Sequence, residues 1–341
     1  MKKIVFVLSA ICCIACQQKN RVMFGHQDDP FYGIGWEYEA GRSDVLESCG
    51  DWPAVMGFDL GGIEMGDAKN LDSVPFDCIR EEIRNHHRRG GIITVSWHPR
   101  NPVTTVDHLN TWPEGSAWDA TDGVVTAILA EGEVHDRFMI WLERVRTFLA
   151  SLTDDAGQPI PLIFRPWHEN NGAWFWWGNT HCTPDEYRAL YSLTQDYMRD
   201  LKALSWSYSP NLDGAMTEDT FLQWYPGDER IDLIGLDAYE WGTEEDFVRQ
   251  TRADLDFLCA FGKQHHKPVA LTECGFINVP DPTWWDRVLL PILADYPLTY
   301  ALVWRNAEKE HFGPVPNTES AEHFRNFYNS EHTLFLKDIA K

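Results

Sequence analysis

The chain has 341 residues and sets 52 acidic against 29 basic side chains, a net charge of −23. Such a surface repels phosphate backbones and anionic polymers, which argues against nucleic acid or a uronic-acid polymer as partner and leaves a neutral one, or plain solubility. The length suits one large (β/α)8 barrel, for which about 250 residues is typical, and no linker, repeat or low-complexity tract divides it.

The chain opens Met1-Lys2-Lys3, continues with an apolar run over residues 4–15 and reaches Cys16. A basic start before a short apolar stretch has the form of an export signal, and the stretch falls short of the roughly 20 residues that a membrane-spanning helix needs. Ile14-Ala15-Cys16 resembles the end of a bacterial lipoprotein signal, with Cys13 where that pattern usually carries Leu. The expectation is therefore a lipoprotein-type signal peptide over residues 1–16, lipidated at Cys16, ahead of a catalytic domain over residues 17–341. Residues 17–20 would be a polar tether. Gln17-Gln18-Lys19-Asn20 is not an acidic run, which favours the periplasmic side of the outer membrane over the cell surface. Monomer is the default expectation.

Short apolar runs bounded by Gly, Pro, Asn or Asp read as buried strands at residues 22–25, 54–60, 91–97, 161–165, 204–209, 231–236, 269–272 and 300–304. Helical patterns lie between them at 76–89, 135–152, 185–201, 244–261 and 284–294. Thr183-Pro184-Asp185-Glu186 is a helix start, with a capping Thr, Pro in the first turn and acids at the positive end; Thr243-Glu244-Glu245-Asp246 repeats it. Eight strands with intervening helix-sized segments predict a single α/β (β/α)8 (TIM) barrel. An open doubly wound sheet is the alternative, but no strand runs into a glycine-rich phosphate turn. Beyond Cys16 the cysteines are Cys49, Cys78, Cys182, Cys259 and Cys274, an odd number at irregular spacing. That is neither a disulfide framework nor a zinc pattern; one or two bridges stay open in an oxidising compartment, and buried thiols are expected for most.

In such a barrel the residues at the C-terminal ends of the strands carry the chemistry. These are His26, Asp59, His98, Arg165, His168, Glu169, Asn211, Asp237, Tyr239, Glu273, Trp304 and Arg305. Two glutamates stand out, Glu169 after the fourth strand and Glu273 after the seventh, on opposite sides of the barrel mouth. Retaining glycoside hydrolysis needs two carboxyl groups about 5–5.5 Å apart, one to attack the anomeric carbon and one to protonate the leaving oxygen and then activate water. The aromatic-rich surroundings of Glu169 suit a carboxyl that must keep its proton; Tyr239 and Arg165 are candidate hydrogen-bond partners for an ionised Glu273.

Ala173-Trp174-Phe175-Trp176-Trp177 follows Glu169 directly, in a chain with 16 tryptophans. Such runs are usually core, yet indole also stacks on the apolar faces of sugar rings, so at least one of these is expected to wall the site. A zinc His-Glu-x-x-His pattern begins at His168-Glu169 and fails at its second His. No metal and no cofactor are therefore expected, and His98 and His168 are expected to hydrogen-bond sugar hydroxyls or a glutamate. No Gly-x-Ser-x-Gly turn supports a nucleophilic serine.

At these residues the chain resembles the family 26 glycoside hydrolases, chiefly β-mannanases. The resemblance rests on Arg165-Pro166-Trp167-His168-Glu169 with Gly172, Trp174, Phe175, Trp176, Trp177 and Gly178. Ser96-Trp97-His98-Pro99, Asp237-Ala238-Tyr239, Glu273-Cys274-Gly275 and Val303-Trp304-Arg305-Asn306 also carry it. It covers residues 21–330. It implies Glu169 as acid/base, Glu273 as nucleophile, and His98, His168, Trp174, Tyr239 and Trp304 around the cleaved sugar, with Trp118 joining them. It also implies that Arg305 reaches the next sugar toward the non-reducing end. The implied activity is retaining hydrolysis of β-1,4-mannosidic bonds in mannan, galactomannan or manno-oligosaccharides. The long segment 101–123 after the third strand is expected to border the non-reducing end of the cleft; closure there would release mannobiose. The alternatives are a β-1,3-xylanase or mixed-linkage β-glucanase of the same family, or a non-catalytic lipid-anchored glycan-binding protein.

Overall fold

A computed structural model describes residues 20–106 and 112–340. The signal peptide expected over residues 1–16 lies outside them, as do residues 107–111 of the segment after the third strand. The barrel strands are β1 (Val22–Gln27), β2 (Val55–Asp59), β3 (Ile92–Trp97), β4 (Leu162–Pro166), β5 (Leu204–Tyr208), β6 (Leu233–Tyr239), β7 (Val269–Gly275) and β8 (Tyr300–Val303). Each pairs in parallel with the next, and β8 returns to β1 through Met23↔Tyr300 and Phe24↔Ala301, so the sheet closes. The expected barrel is therefore the observed one. β6 and β7 each run three residues past their expected ends, to Tyr239 and Gly275. The apolar runs stop at Leu236 and Leu271, but the ladder continues through polar residues that face the barrel mouth.

The helices that cover the barrel are α1 (Asp44–Cys49), α2 (Phe76–Arg88), α3 (Glu133–Ala150), α4 (Pro184–Tyr197), α5 (Glu218–Trp224), α6 (Glu244–His265), α7 (Leu290–Asp295) and α8 (Glu319–Tyr328); the short helices Val124–Leu129, ahead of α3, and Leu336–Ile339, near the C-terminus, are additional. α4 starts as its sequence promised. The Thr183 side chain accepts the Glu186 N–H (3.3 Å) while the Glu186 carboxylate takes the Thr183 N–H (2.8 Å), so two helix-start donors are satisfied reciprocally. Thr243 caps α6 through the Asp246 N–H. The pattern expected at 284–294 is a π-helical turn, Trp285–Leu289, leading into α7. Pro291 has no N–H to donate to a regular ladder there. α1 and α5 span fewer than eight residues each, too short for periodicity to declare them. Among the described residues the five cysteines are free thiols, four half-buried and Cys274 fully buried.

Alternation along the strands divides the core. Val22 and Phe24 point outward to the helices, whereas Met23 joins Val55, Ile163, Leu233, Ala270, Tyr300 and Leu302 in an apolar plug inside the barrel. Above that plug the inward positions turn polar, with Arg165 two residues beyond Ile163 and Asp237 four beyond Leu233. β7 breaks the alternation. Leu236 pairs with Leu271 but Asp237 pairs with Glu273, and on the other flank Ala301 pairs with Leu271 but Val303 with Cys274. One extra residue in β7 thus forms a bulge that turns Glu273 toward the barrel axis.

Candidate active site

The turn after β4 is built against its own backbone preference. Trp167 (φ 57°) and Glu169 (φ 53°) both hold left-handed conformations that side chains other than glycine rarely adopt. Buried aromatic donors pin this turn. Tyr187 Oη–H donates to the Trp167 carbonyl (2.7 Å), Trp177 Nε1–H to the His168 carbonyl (2.8 Å), and the Glu169 N–H to Ser209 O (2.7 Å). Trp176 and Trp177 are fully buried and Phe175 nearly so. Trp174 alone of the run opens to solvent, at 38 % exposure, and its Nε1–H donates to the Glu169 carboxylate at 2.7 Å. The tryptophan run therefore divides as expected, one wall residue and the rest core. Gly172 makes room for that wall, since a Cβ there would fall 2.3 Å from the Trp174 ring.

Across the mouth, Glu273 accepts from the Arg165 guanidinium and from Tyr239 Oη–H (2.6 Å). The same guanidinium donates to Asp237 at 2.8 Å, and Thr272 Oγ1–H donates to that carboxylate at 2.7 Å. One oxygen each of Glu169, Asp237 and Glu273 lies within 4.8 Å of the other two. A retaining pair needs carboxyl groups about 5–5.5 Å apart; an inverting pair stands about 6.5–9.5 Å apart to admit water. The spacing fits retention.

Three converging carboxylates also invite a cation. Each of these already accepts hydrogen bonds from fixed donors, and Arg165 stands between two of them as the counter-charge. A divalent ion such as calcium, which takes 6–8 oxygens, would have to displace those donors. Burial, reinforced by the charge of Glu273, lifts the Glu169 carboxyl to about 7. Burial and the charge of Glu273 likewise hold Tyr239 well above its ordinary value, so it remains a phenol donor. The two glutamates thus occupy different electrostatic positions: Glu169 beside an indole, Glu273 against a guanidinium.

His98 and His168 form a relay on the β3–β4 side. Asp59, buried at the end of β2, accepts from Ser96 Oγ–H (2.6 Å) and the Gly61 N–H (2.7 Å), and its carboxylate meets His98 Nδ1 at 2.6 Å. Burial opposes a charged His98, but the charge and hydrogen bond of Asp59 outweigh it and raise its pKa. Burial, then Arg165 and His98, hold His168 well below its ordinary value. His98 accordingly donates Nε2–H to Nε2 of a neutral His168 across 2.9 Å. This corrects one expectation: both ring nitrogens of His98 are spent on Asp59 and His168, so it offers a glycan its ring and not a hydrogen bond. Trp118 stacks on that ring (5.3 Å between centroids, 8° between planes) and Trp304 meets it edge-on at 6.2 Å.

Arg305 sits farther out, at the β8 end, paired with Asp72 (2.7 Å) and over the Tyr32 ring. Direct contacts thus join Glu169 to Trp174, Glu273 to Arg165 and Tyr239, and His98 to His168, Trp118 and Trp304, while Arg305 lies outside these groups. Asp59 and Asp237 were visible as strand-end polar residues but had no role until their partners were known. Asp72 lies in a loop and Tyr32 in a two-residue hairpin strand outside the barrel, Tyr32–Gly33, places that no strand-end rule would select.

Comparison with known proteins follows the same line. A model described as "Glycosyl hydrolase family 26" matches residues 9–334. A mannan endo-1,4-β-mannosidase of Bifidobacterium adolescentis is 34% identical over 75% of this chain, which spans only 26% of that protein. One of Bacillus subtilis (strain 168) is 28% identical over 88% of this chain and 78% of its own length. Among solved structures, a GH26 β-mannanase of Bacteroides ovatus superposes with a TM-score of 0.91 at 41% identity, covering 99% of this chain and 96% of that one.

Proposed function

The chain belongs to glycosyl hydrolase family 26, and from that premise we propose that it hydrolyses β-1,4-mannosidic bonds with retention of configuration. The observation that carries the chemistry is the close approach of two differently placed carboxyl groups, Glu169 beside Trp174 and Glu273 between Arg165 and Tyr239. A Glu273 oxygen attacks the anomeric carbon as the glycosidic C–O bond breaks, and Glu169 gives its proton to the departing oxygen. Glu169, now ionised, takes a proton from water as that water attacks the same carbon and frees Glu273. Tyr239 and Arg165 orient the nucleophile throughout. The substrate follows from the relatives, which are named as mannan endo-1,4-β-mannosidases.

Hydrolysis of linear β-1,4-mannan by the protein lacking residues 1–20 tests this, with β-1,3-xylan and mixed-linkage β-glucan in parallel. Activity on mannan supports the reading; activity confined to either other polymer reassigns the specificity. Silence on all three favours a glycan-binding protein. The Trp118 ring stacked on His98 supports a glycone side bordered by segment 101–123, so early products from the same digest should be short, with mannobiose prominent. An even ladder of products would refute that closure.

Because Glu169 must enter the first step protonated, and burial lifts its carboxyl to about 7, kcat/KM should fall as pH rises through that value. The profile of kcat/KM against pH checks this, and a plateau extending past pH 9 would contradict it.

We also propose export with lipidation at Cys16, on the strength of Met1-Lys2-Lys3, the apolar run 4–15 and Ile14-Ala15-Cys16. Cys16→Ala should shift the protein from the membrane to the soluble fraction of its host, and unchanged fractionation would remove the anchor.

A further inference from the structure

The loop after β6 carries a feature that the catalytic pair does not use. Trp241 is 68% exposed, yet its ring is ordered by two neighbours. It lies over Tyr239 (5.6 Å between centroids, 27° between planes) and meets Phe312 edge-on at 6.3 Å, while Phe312 in turn crosses Tyr239 at 5.5 Å. Gly275 admits the Phe312 ring, since a Cβ there would lie 2.5 Å from it. The other surroundings are open, and a Cβ on the neighbouring Gly242 would meet nothing within 4 Å. The indole is thus backed on one face by a tyrosine and on one edge by a phenylalanine, with its other face open to solvent, the arrangement in which a ring can stack on the apolar face of a sugar.

Its position selects the ligand. Glu169 at β4 and Glu273 at β7 define a line across the mouth. Arg305, Asp72, His98 and Trp118 lie on the side of β8 through β3, whereas Trp241 follows β6 on the other side of that line, with Phe312 of the loop after β8 against its edge. Tyr239 links it to the centre, one face of its ring under Trp241 and its hydroxyl on Glu273. We infer that Trp241 is the platform of a reducing-side subsite, stacking on the apolar face of a β-linked hexopyranose beyond the cleaved bond. The inference rests on the β-mannan hydrolase reading.

The test uses the full chain, with Trp241→Ala and Trp241→Phe, on mannopentaose in ¹⁸O-water so that mass spectrometry identifies the cleaved bond. Loss of the platform should raise KM about tenfold with kcat changed less than about twofold. The preferred cleavage should move toward the reducing end, because modes with fewer sugars on that side lose less. Phe should largely restore the wild-type pattern. Unchanged KM and pattern would overturn the inference. So would a fall in kcat alone with the pattern intact, which would make Trp241 a buttress of Tyr239, or a shift toward the non-reducing end. Failure of the parent reading shows separately, as wild-type protein that leaves mannopentaose uncut.

Discussion

Glu273→Ala should lower kcat on linear β-1,4-mannan by at least about 10⁴-fold, since removing a nucleophile abolishes the covalent route and leaves only positioning and electrostatics. The variant should still fold. Arg165 keeps its hydrogen bond to Asp237, so no charge is left wholly unpaired, and Tyr239 loses one acceptor at a site that opens to the cleft. Circular dichroism and a melting curve separate the two effects. A folded Glu273→Ala protein retaining more than about a hundredth of wild-type activity would mean that the attacking group is elsewhere. Asp237 is the nearest other carboxylate, but it is held by Arg165 and Thr272 and buried behind Glu273.

Glu169→Ala should show a different signature, one that depends on the leaving group. On mannan the departing sugar oxygen needs a proton, and loss of the donor should slow hydrolysis by roughly 10²–10⁴-fold. On an aryl β-mannobioside with a dinitrophenolate leaving group the first step needs little protonation and should proceed. The second step still lacks its base, so the glycosyl–Glu273 ester should accumulate and appear as a burst of phenolate. Azide has no proton to lose. It should attack the anomeric carbon directly, break the ester bond, restore the Glu273 carboxylate and leave a β-glycosyl azide. Rate recovery with that product identifies Glu169 as acid/base. If azide gives no recovery, or the product is the α-azide, the assignment of the two carboxyls fails.

The fold and the candidate pair of carboxyls were legible for a shared reason. Buried parallel strands must be nearly continuous apolar runs, so the few polar residues at their ends stand out. Glu169 and Glu273 stood out from that contrast, and the tryptophan run beside Glu169 led to the expectation that at least one of its rings walls the site. What stayed hidden depends on pairing in space. Asp59 lies 39 residues before His98, and nothing in the sequence says that its carboxylate would orient and charge that ring. Arg165 was named as a partner for Glu273, but its second bond to Asp237 required knowing that β4 and β6 both turn polar above the same apolar plug. Trp241 drew no reading from the sequence, because exposure is a property of the folded surface and not of composition.

The bulge in β7 has a consequence for how this barrel tolerates change. Counted residue by residue from Val269 and Leu271, which pack toward the helices, Glu273 belongs to the outward parity, and the bulge at the extra residue turns it in. A substitution alters one side chain, whereas deleting Thr272 would leave Leu271 and Glu273 as successive ladder residues opposite Leu236 and Asp237, so the acid would keep facing the cleft and only the hydroxyl that donates to Asp237 would be lost. The extra residue lets two neighbouring side chains of strand seven serve the cleft, Thr272 on Asp237 and Glu273 on Arg165 and Tyr239, where an unbroken strand would turn one of them away.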